Sequence, residues 1–259
     1  MSEQSLIPVP SGNAGLGRGT FEPDGRQVSA GRCIEWLQQG WELFKKNPGI
    51  WIALVVILAV ILIFLAFIPF IGSLASNLLL PVFIGGLMLG CHSLAQGGQL
   101  GIDTLFAGFK RNTGNLVLVG LLYLVGTIVI VGVVFLILLL TVGGAFLSSG
   151  GNVTPGGAFL MMLTGGALIV ILIALLLAVP LMMAFYFAPP LVVLRDVAPF
   201  DAMKASFSAC LKNFLPFLIY GVIGFVLCLI AAIPFGLGFL VLGPVLIGAG
   251  YASYMDIFE

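Results

Sequence analysis

From Gly49 to Gly72 the chain carries no charged residue, and five more such runs follow: about Leu78 to Leu94, Leu116 to Leu147, Gly156 to Leu194, Phe214 to Ile233 and Leu237 to Tyr254. An α-helix rises about 1.5 Å per residue, so roughly 20 residues cross a hydrocarbon core about 30 Å thick. Within a bilayer every backbone polar group must be satisfied internally, which leaves the helix as the economical solution for each run. The pattern therefore predicts an all-α integral membrane protein with six transmembrane helices. With 61% hydrophobic and only 8% charged residues, a soluble core is excluded. A net charge of zero excludes the electrostatic footprint of nucleic-acid binding.

Each pair of runs is introduced by the same device, a basic residue followed by asparagine. The three junctions are Lys46-Asn47, Arg111-Asn112 and Lys212-Asn213. Superposing the asparagines also aligns Trp41 with Phe106 and Phe207, and Leu37 with Ile102 and Met203. The second run of each pair holds a proline followed by two small residues one helical turn apart. These are Pro81 with Gly86 and Gly90, Pro180 with Ala184 and Ala188, and Pro244 with Gly248 and Ala252. Small residues at that spacing let membrane helices approach closely, so all six are candidate helix-packing positions. The chain thus divides into a membrane domain, 31–259, built from three repeats of interfacial helix plus transmembrane hairpin, at about 31–95, 99–197 and 199–257. Residues 1–30, rich in Gly, Pro and Ser, read as a flexible cytoplasmic tail without a cleaved signal.

The stretch before each junction is amphipathic. In Arg32–Lys46, Ile34, Leu37, Trp41 and Phe44 share one face, and all three tryptophans, Trp36, Trp41 and Trp51, lie nearby, as expected of an interfacial helix. A second such helix is expected to be capped by Asp103 or Thr104, and a third by Asp201 with Met203, Phe207 and Cys210 on one face. Trp41, Lys46, Asn47, Arg111, Asn112, Lys212 and Asn213 are the candidate contacts to lipid headgroups or to the membrane interface.

All ten Lys and Arg residues fall on one side of a six-span topology, together with both termini. The positive-inside rule makes that side cytoplasmic. The two middle runs would form helices of about 50 Å or more if straight, so they are expected to tilt, or to kink at Gly143-Gly144 and Gly165-Gly166, with a re-entrant pair as the alternative.

Chemistry is sparse. The spans hold no Asp, Glu, Lys or Arg, and His92 beside Cys91 has too few companions for a metal site, so it reads as a helix-end polar group. The four cysteines show no CxxC spacing and read as small apolar fillers. No HExxH, GxSxG or P-loop pattern occurs, and no cofactor is expected.

The run Ala30-Gly31-Arg32, Trp36-Leu37, Gly40-Trp41, Leu43 to Pro48 and Trp51 resembles the amino-terminal signature of a family of uncharacterised bacterial multi-pass membrane proteins. The repeated unit is similar to that of YciC-like proteins and of the membrane domain attached to some glycerophosphodiester phosphodiesterases. This resemblance implies a bacterial inner-membrane location and a six-span helical fold, and it brings no catalytic residue with it. The expected function is non-enzymatic: an envelope or membrane-organising protein acting through lipids, anionic ones included, or through membrane protein partners. The alternative is a carrier or flippase for a small apolar or lipid-like molecule.

Overall fold

The computed structural model, described over residues 21–148, 156–157 and 167–259, is all-helical. The helices are α1 (Arg32–Lys46), α2 (Pro48–Ala66), α3 (Ile71–Ala95), a 3-10 helix (Ile102–Phe109), α4 (Thr113–Ser148), α5 (Ala167–Tyr186), α6 (Ala188–Arg195), α7 (Pro199–Lys212), α8 (Phe214–Ala232) and α9 (Phe239–Phe258). Six helical segments are long and apolar enough to cross a membrane: α2, α3, most of α4, α5 continued through α6, α8 and α9.

Local chemistry explains several boundaries. Pro48 opens α2 at a position where a missing N–H costs nothing. Pro189 and Pro190 withhold the N–H groups that would continue α5, and the helix breaks at Phe187. There the Ser206 hydroxyl repairs the ladder. It accepts from the Phe187 N–H at 2.9 Å and donates to the Met183 carbonyl at 2.6 Å, standing in for the bond that those two groups would make in an unbroken helix. By contrast α4 runs unbroken through Gly143-Gly144, so the helix does not break there. An interrupted ladder costs more in hydrocarbon than the roughly 1 kcal/mol by which glycine disfavours a helix. A polar turn is expected over Ser148 to Pro155; Ser148 closes α4, and the rest of that stretch, the Gly165-Gly166 pair and the tail before Phe21 lie outside the described residues.

The short helices do not lie loosely against the bundle. Helix α1 packs on α9, the 3-10 helix on α3, and α7 on α5. The core between them is aromatic: Trp36, Tyr186, Phe187, Phe217 and Phe258 meet with ring centroids 4.7 to 5.6 Å apart. Two expectations change here. Trp36 and Trp51 are fully buried, and only Trp41 is exposed, because the indole N–H groups of the first two find partners inside the protein. The buried face of α1 is Cys33, Trp36, Gly40, Leu43 and Phe44, leaving Ile34 and Trp41 outside. Likewise α7 buries Pro199, Ala202, Ser206, Ala209 and Cys210 and exposes Phe207. Apolar residues cover more of these helices than one face can bury, so periodicity alone misassigns the inner side.

The other expected caps also shift. Gly101 precedes the 3-10 helix, its N–H donating to Thr104 Oγ1 at 3.3 Å, and Asp201 sits in the first turn of α7 behind Ala198.

Candidate functional site at the basic end of the bundle

The junctions, the short helices and the ends of α3, α6 and α9 converge on one end of the bundle. Its centre is Asp256, which the last helix carries only 7% exposed. Arg32 grips this carboxylate with two bonds, Nε to Oδ2 at 2.7 Å and Nη2 to Oδ1 at 2.5 Å, and Trp36 Nε1 donates to Oδ2 at 2.9 Å. The carboxylate raises the Arg32 guanidinium above its ordinary value, chiefly by hydrogen bonding. Arg26 Nε donates to the Asp256 carbonyl at 2.6 Å. Charge taken out of water is tolerated only when paired and hydrogen-bonded in this way.

Asn213 is the second anchor and is 0% exposed. Its Oδ1 accepts from the Val28 N–H at 2.8 Å, and its Nδ2 donates to the Arg26 and Ala209 carbonyls, both at 2.9 Å. Lys212 Nζ donates to the carbonyls of Asp24 and Gly25 at 3.0 and 3.2 Å. The segment 21–30, which composition alone places in the tail, is thereby held as a strap across α7 and α9, with Glu22 and Arg26 donating to the Phe258 and Ile257 carbonyls. Asn213 is accordingly an internal packing residue and not a headgroup contact.

The other junctions also turn inward. Lys46 Nζ donates to the Leu94 carbonyl at the end of α3, at 2.7 Å. Asn112, at φ 55°, donates to the Val192 carbonyl at 2.9 Å and to Asp196, which pairs with Arg111 at 3.7 Å. Asn47 is half-buried and passes the chain from α1 to α2, its carbonyl accepting from the Trp51 N–H. Cations at helix C-termini interact favourably with the unpaired carbonyls and the helix dipole, which is the physical use of Lys46 here. None of these three cations pairs with Glu42, Asp103 or Asp201, the acids nearest to them in sequence.

Of the six packing candidates, Gly86 and Gly248 sit where backbones meet, and Gly90 sits against side chains. A Cβ on Gly86 would stand 2.6 Å from the Thr104 carbonyl oxygen, one on Gly90 2.8 Å from Leu100, and one on Gly248 2.9 Å from the Gly40 Cα. Ala188 and Ala252 are buried and Ala184 half-buried. The close approaches at the glycines are made with the short helices, not with other spans. Histidine 92 bridges α3 and α9: Nδ1 shares a hydrogen bond with Tyr251 OH at 3.0 Å and Nε2 one with Gln96 at 2.8 Å. Burial pushes the Cys210 thiol up to about 12, which keeps it from acting as a thiolate nucleophile.

Three residues central to this end escaped the sequence reading: Asp256, Arg32 and Ser206. Asp256 gave a signal, a lone acid at the close of an apolar run, but its partner lies more than two hundred positions away.

Replacing Asn213 with Ala leaves the Val28 N–H and Arg26 carbonyl unpaired and is expected to cost about 1–3 kcal/mol. Limited trypsin digestion in detergent should then cut after Arg26 faster than in the wild type, with the spans intact. Unchanged cleavage would show that Asn213 does not hold the strap.

Six apolar segments above an end where every short helix is docked define a polytopic, all-helical membrane protein. The chain belongs to the family described as Domain of unknown function (DUF7847), which matches residues 33–255. It is 33% identical over 213 residues to a probable inner membrane protein of Burkholderia thailandensis, covering 82% of this chain and 78% of that protein. No solved structure matches the chain.

Proposed function

We propose that this is a multi-pass inner-membrane protein with both termini cytoplasmic, that it is built from three repeats, and that it organises membrane through lipids or partner proteins rather than by catalysis. One observation carries the reading. With Asn47 superposed on Asn213, the five buried residues of α1 fall on the five buried residues of α7, and exposed Ile34 and Trp41 fall on exposed Phe200 and Phe207. With Asn112 superposed as well, buried Leu105 and Gly108 fall on Gly40 and Leu43, and exposed Phe106 falls on Trp41. These matches support repetition; they are complete between α1 and α7 and partial for the 3-10 helix, where exposed Phe109 falls on buried Phe44.

The docking order supports the same reading. Each short helix packs on the second span of the preceding unit, and the first packs on the second span of the last, which closes a ring. Each outer face then presents aromatic or aliphatic side chains, with Lys45 exposed on α1 and Lys204 on α7. Apolar side chains beside cations suit the headgroup region, and anionic headgroups in particular. The one-sided cations and the name of the Burkholderia relative favour the inner membrane with that end inside. The likeness to YciC-like proteins and to phosphodiesterase-attached membrane domains belongs to this reading.

The test has two arms. Reporter fusions after Glu259, within 96–100 and near Ala198 are expected to read cytoplasmic, and fusions near Phe70 and Gly236 external. In vesicles containing phosphatidylglycerol, a shallow doxyl-labelled lipid should quench Trp41, and Trp41→Phe should remove that quenching. An external basic loop overturns the topology; quenching of Trp41 by aqueous iodide alone overturns the headgroup-level placement.

A further inference from the structure

The end of the bundle opposite the charges carries two matched and unusual turns. The sequence Ile68-Pro69-Phe70 joins α2 to α3, and Ile233-Pro234-Phe235 joins α8 to α9. In both, the phenylalanine takes a positive φ, 62° at Phe70 and 52° at Phe235, where a bulky L-residue is strained. At Phe70 the Ile71 N–H bonds the Pro69 carbonyl at 2.7 Å, a γ-turn of the rare and strained kind. The side chains so presented are almost wholly outside the protein, Phe70 at 91% and Phe235 at 102% exposure. Strain held at two equivalent tips to display an aromatic ring calls for a partner to that ring.

The surroundings specify the partner. Helices α2 and α8 have 19 residues each, about 28 Å of rise, slightly less than a hydrocarbon core of about 30 Å. The tips that follow are apolar throughout, with Phe67, Ile71, Ile233 and Leu237 also exposed. Turns are ordinarily built from Gly, Pro, Asn, Asp and Ser, and these two hold Pro and Gly but none of the polar members of that set within 67–70 or 233–238. The backbone is prepared for a dry setting too. Proline removes one N–H from each turn, and the N–H groups of Phe67, Ile68, Ile71 and Gly72, and of Ile233, Gly236, Leu237 and Phe239, all bond carbonyls within their own hairpins. Hydrocarbon favours turns whose donors are paired in this way, and only the N–H groups of Phe70 and Phe235 at the two tips lack a backbone acceptor among those of residues 67–72 and 233–237. The middle hairpin differs, since α4 runs 36 residues toward a sequence of Ser, Gly, Asn and Thr.

We propose that the two Ile-Pro-Phe tips end among the acyl chains of the leaflet opposite the basic end. The rings of Phe70 and Phe235 are inserted in lipid, beneath that leaflet's headgroups. The partner is the lipid chain itself, not water and not a second protein. The inference rests on the six-span part of the proposed function and is independent of what the short helices bind.

The full chain carrying Cys228→Ala, whose remaining cysteines are buried, is spin-labelled singly at Phe70→Cys or Phe235→Cys. Neighbouring sites Phe67→Cys and Leu237→Cys serve if either turn variant fails to fold. Each protein is placed in vesicles of dioleoyl phosphatidylethanolamine and phosphatidylglycerol, with Val222→Cys as the mid-span reference and Lys110→Cys as the aqueous one. The ratio of oxygen to nickel-chelate relaxation at the tips is expected to lie close to that at Val222 and several-fold above that at Lys110. A tip ratio equal to that at Lys110 overturns the proposal in favour of a water-exposed turn. Protection from both reagents overturns it in favour of a protein-covered one. Chelate access at Val222 would remove the spans themselves, and the proposal with them.

Discussion

Asp256→Ala is expected to be among the most damaging single substitutions in the chain, lowering stability by about 3–5 kcal/mol, because it strands a buried charge instead of merely deleting a contact. Arg32 loses its two bonds to Asp256 and keeps only the one to Glu35 at 2.5 Å, and Trp36 loses the acceptor for a fully buried indole N–H. The side chains of Arg32 and Asp256 are 13% and 10% exposed, so water can replace little of what is lost. The same energetics predict that Arg32→Met combined with Asp256→Leu recovers part of the damage, since two apolar side chains need no partner, while the Trp36 indole N–H stays unpaired and accounts for the remainder. Thermal unfolding in a mild detergent, run on both singles and the double, checks this as a double-mutant cycle. Equal stability of Asp256→Ala and wild type would mean that the pair does not hold α1 to α9.

Gly40→Ala should be nearly as harmful, for a steric reason. A Cβ there runs into the Val245 carbonyl oxygen and stands 2.7 Å from the Ala249 amide nitrogen, both of them backbone atoms of α9. Neither can rotate away, so α1 and α9 must separate, and overpacking of this kind costs about 1–3 kcal/mol or more. Gly221→Ala and Gly224→Ala provide the comparison. Nothing stands within 4 Å of a Cβ at either site, and alanine is the better helix former by up to about 1 kcal/mol, so these variants should match or exceed the wild type. The readout is again the unfolding midpoint in detergent. A loss at Gly221 as large as at Gly40 would mean that the midpoint reports helix composition and not the docking of α1.

Both expectations depend on contacts between the start and the end of the chain, and that is where the sequence stops being legible. Trp51 illustrates the difficulty: in sequence it is a third interfacial tryptophan, yet its indole N–H donates to the Leu43 carbonyl inside the protein. The pairing of Lys46 with the Leu94 carbonyl, and of Arg111 with Asp196, likewise follows from which helix ends meet, not from which acids are nearest in the chain. In the candidate site, the junction residues and the small residues behind the prolines were legible because they recur. The Asp256 anchor and the Ser206 bridge occur once each and could not be found by recurrence.

The sequence by itself determined the six apolar segments and the gathering of the cations between them. Both are local consequences of bilayer thickness and of the cost of charge in hydrocarbon, which act on each segment whatever its neighbours do. Only the tertiary structure decided which faces of α1 and α7 turn inward, that residues 21–30 form a strap, and that α1 reaches across to α9. In helices with apolar residues on two sides, the choice of inner face rests on backbone fit and hydrogen bonds to distant partners: Gly40 against Val245 and Ala249, Trp36 and Arg32 against Asp256, Ser206 against Met183 and Phe187. Those partners are brought together by folding, and no pattern within one helix specifies them.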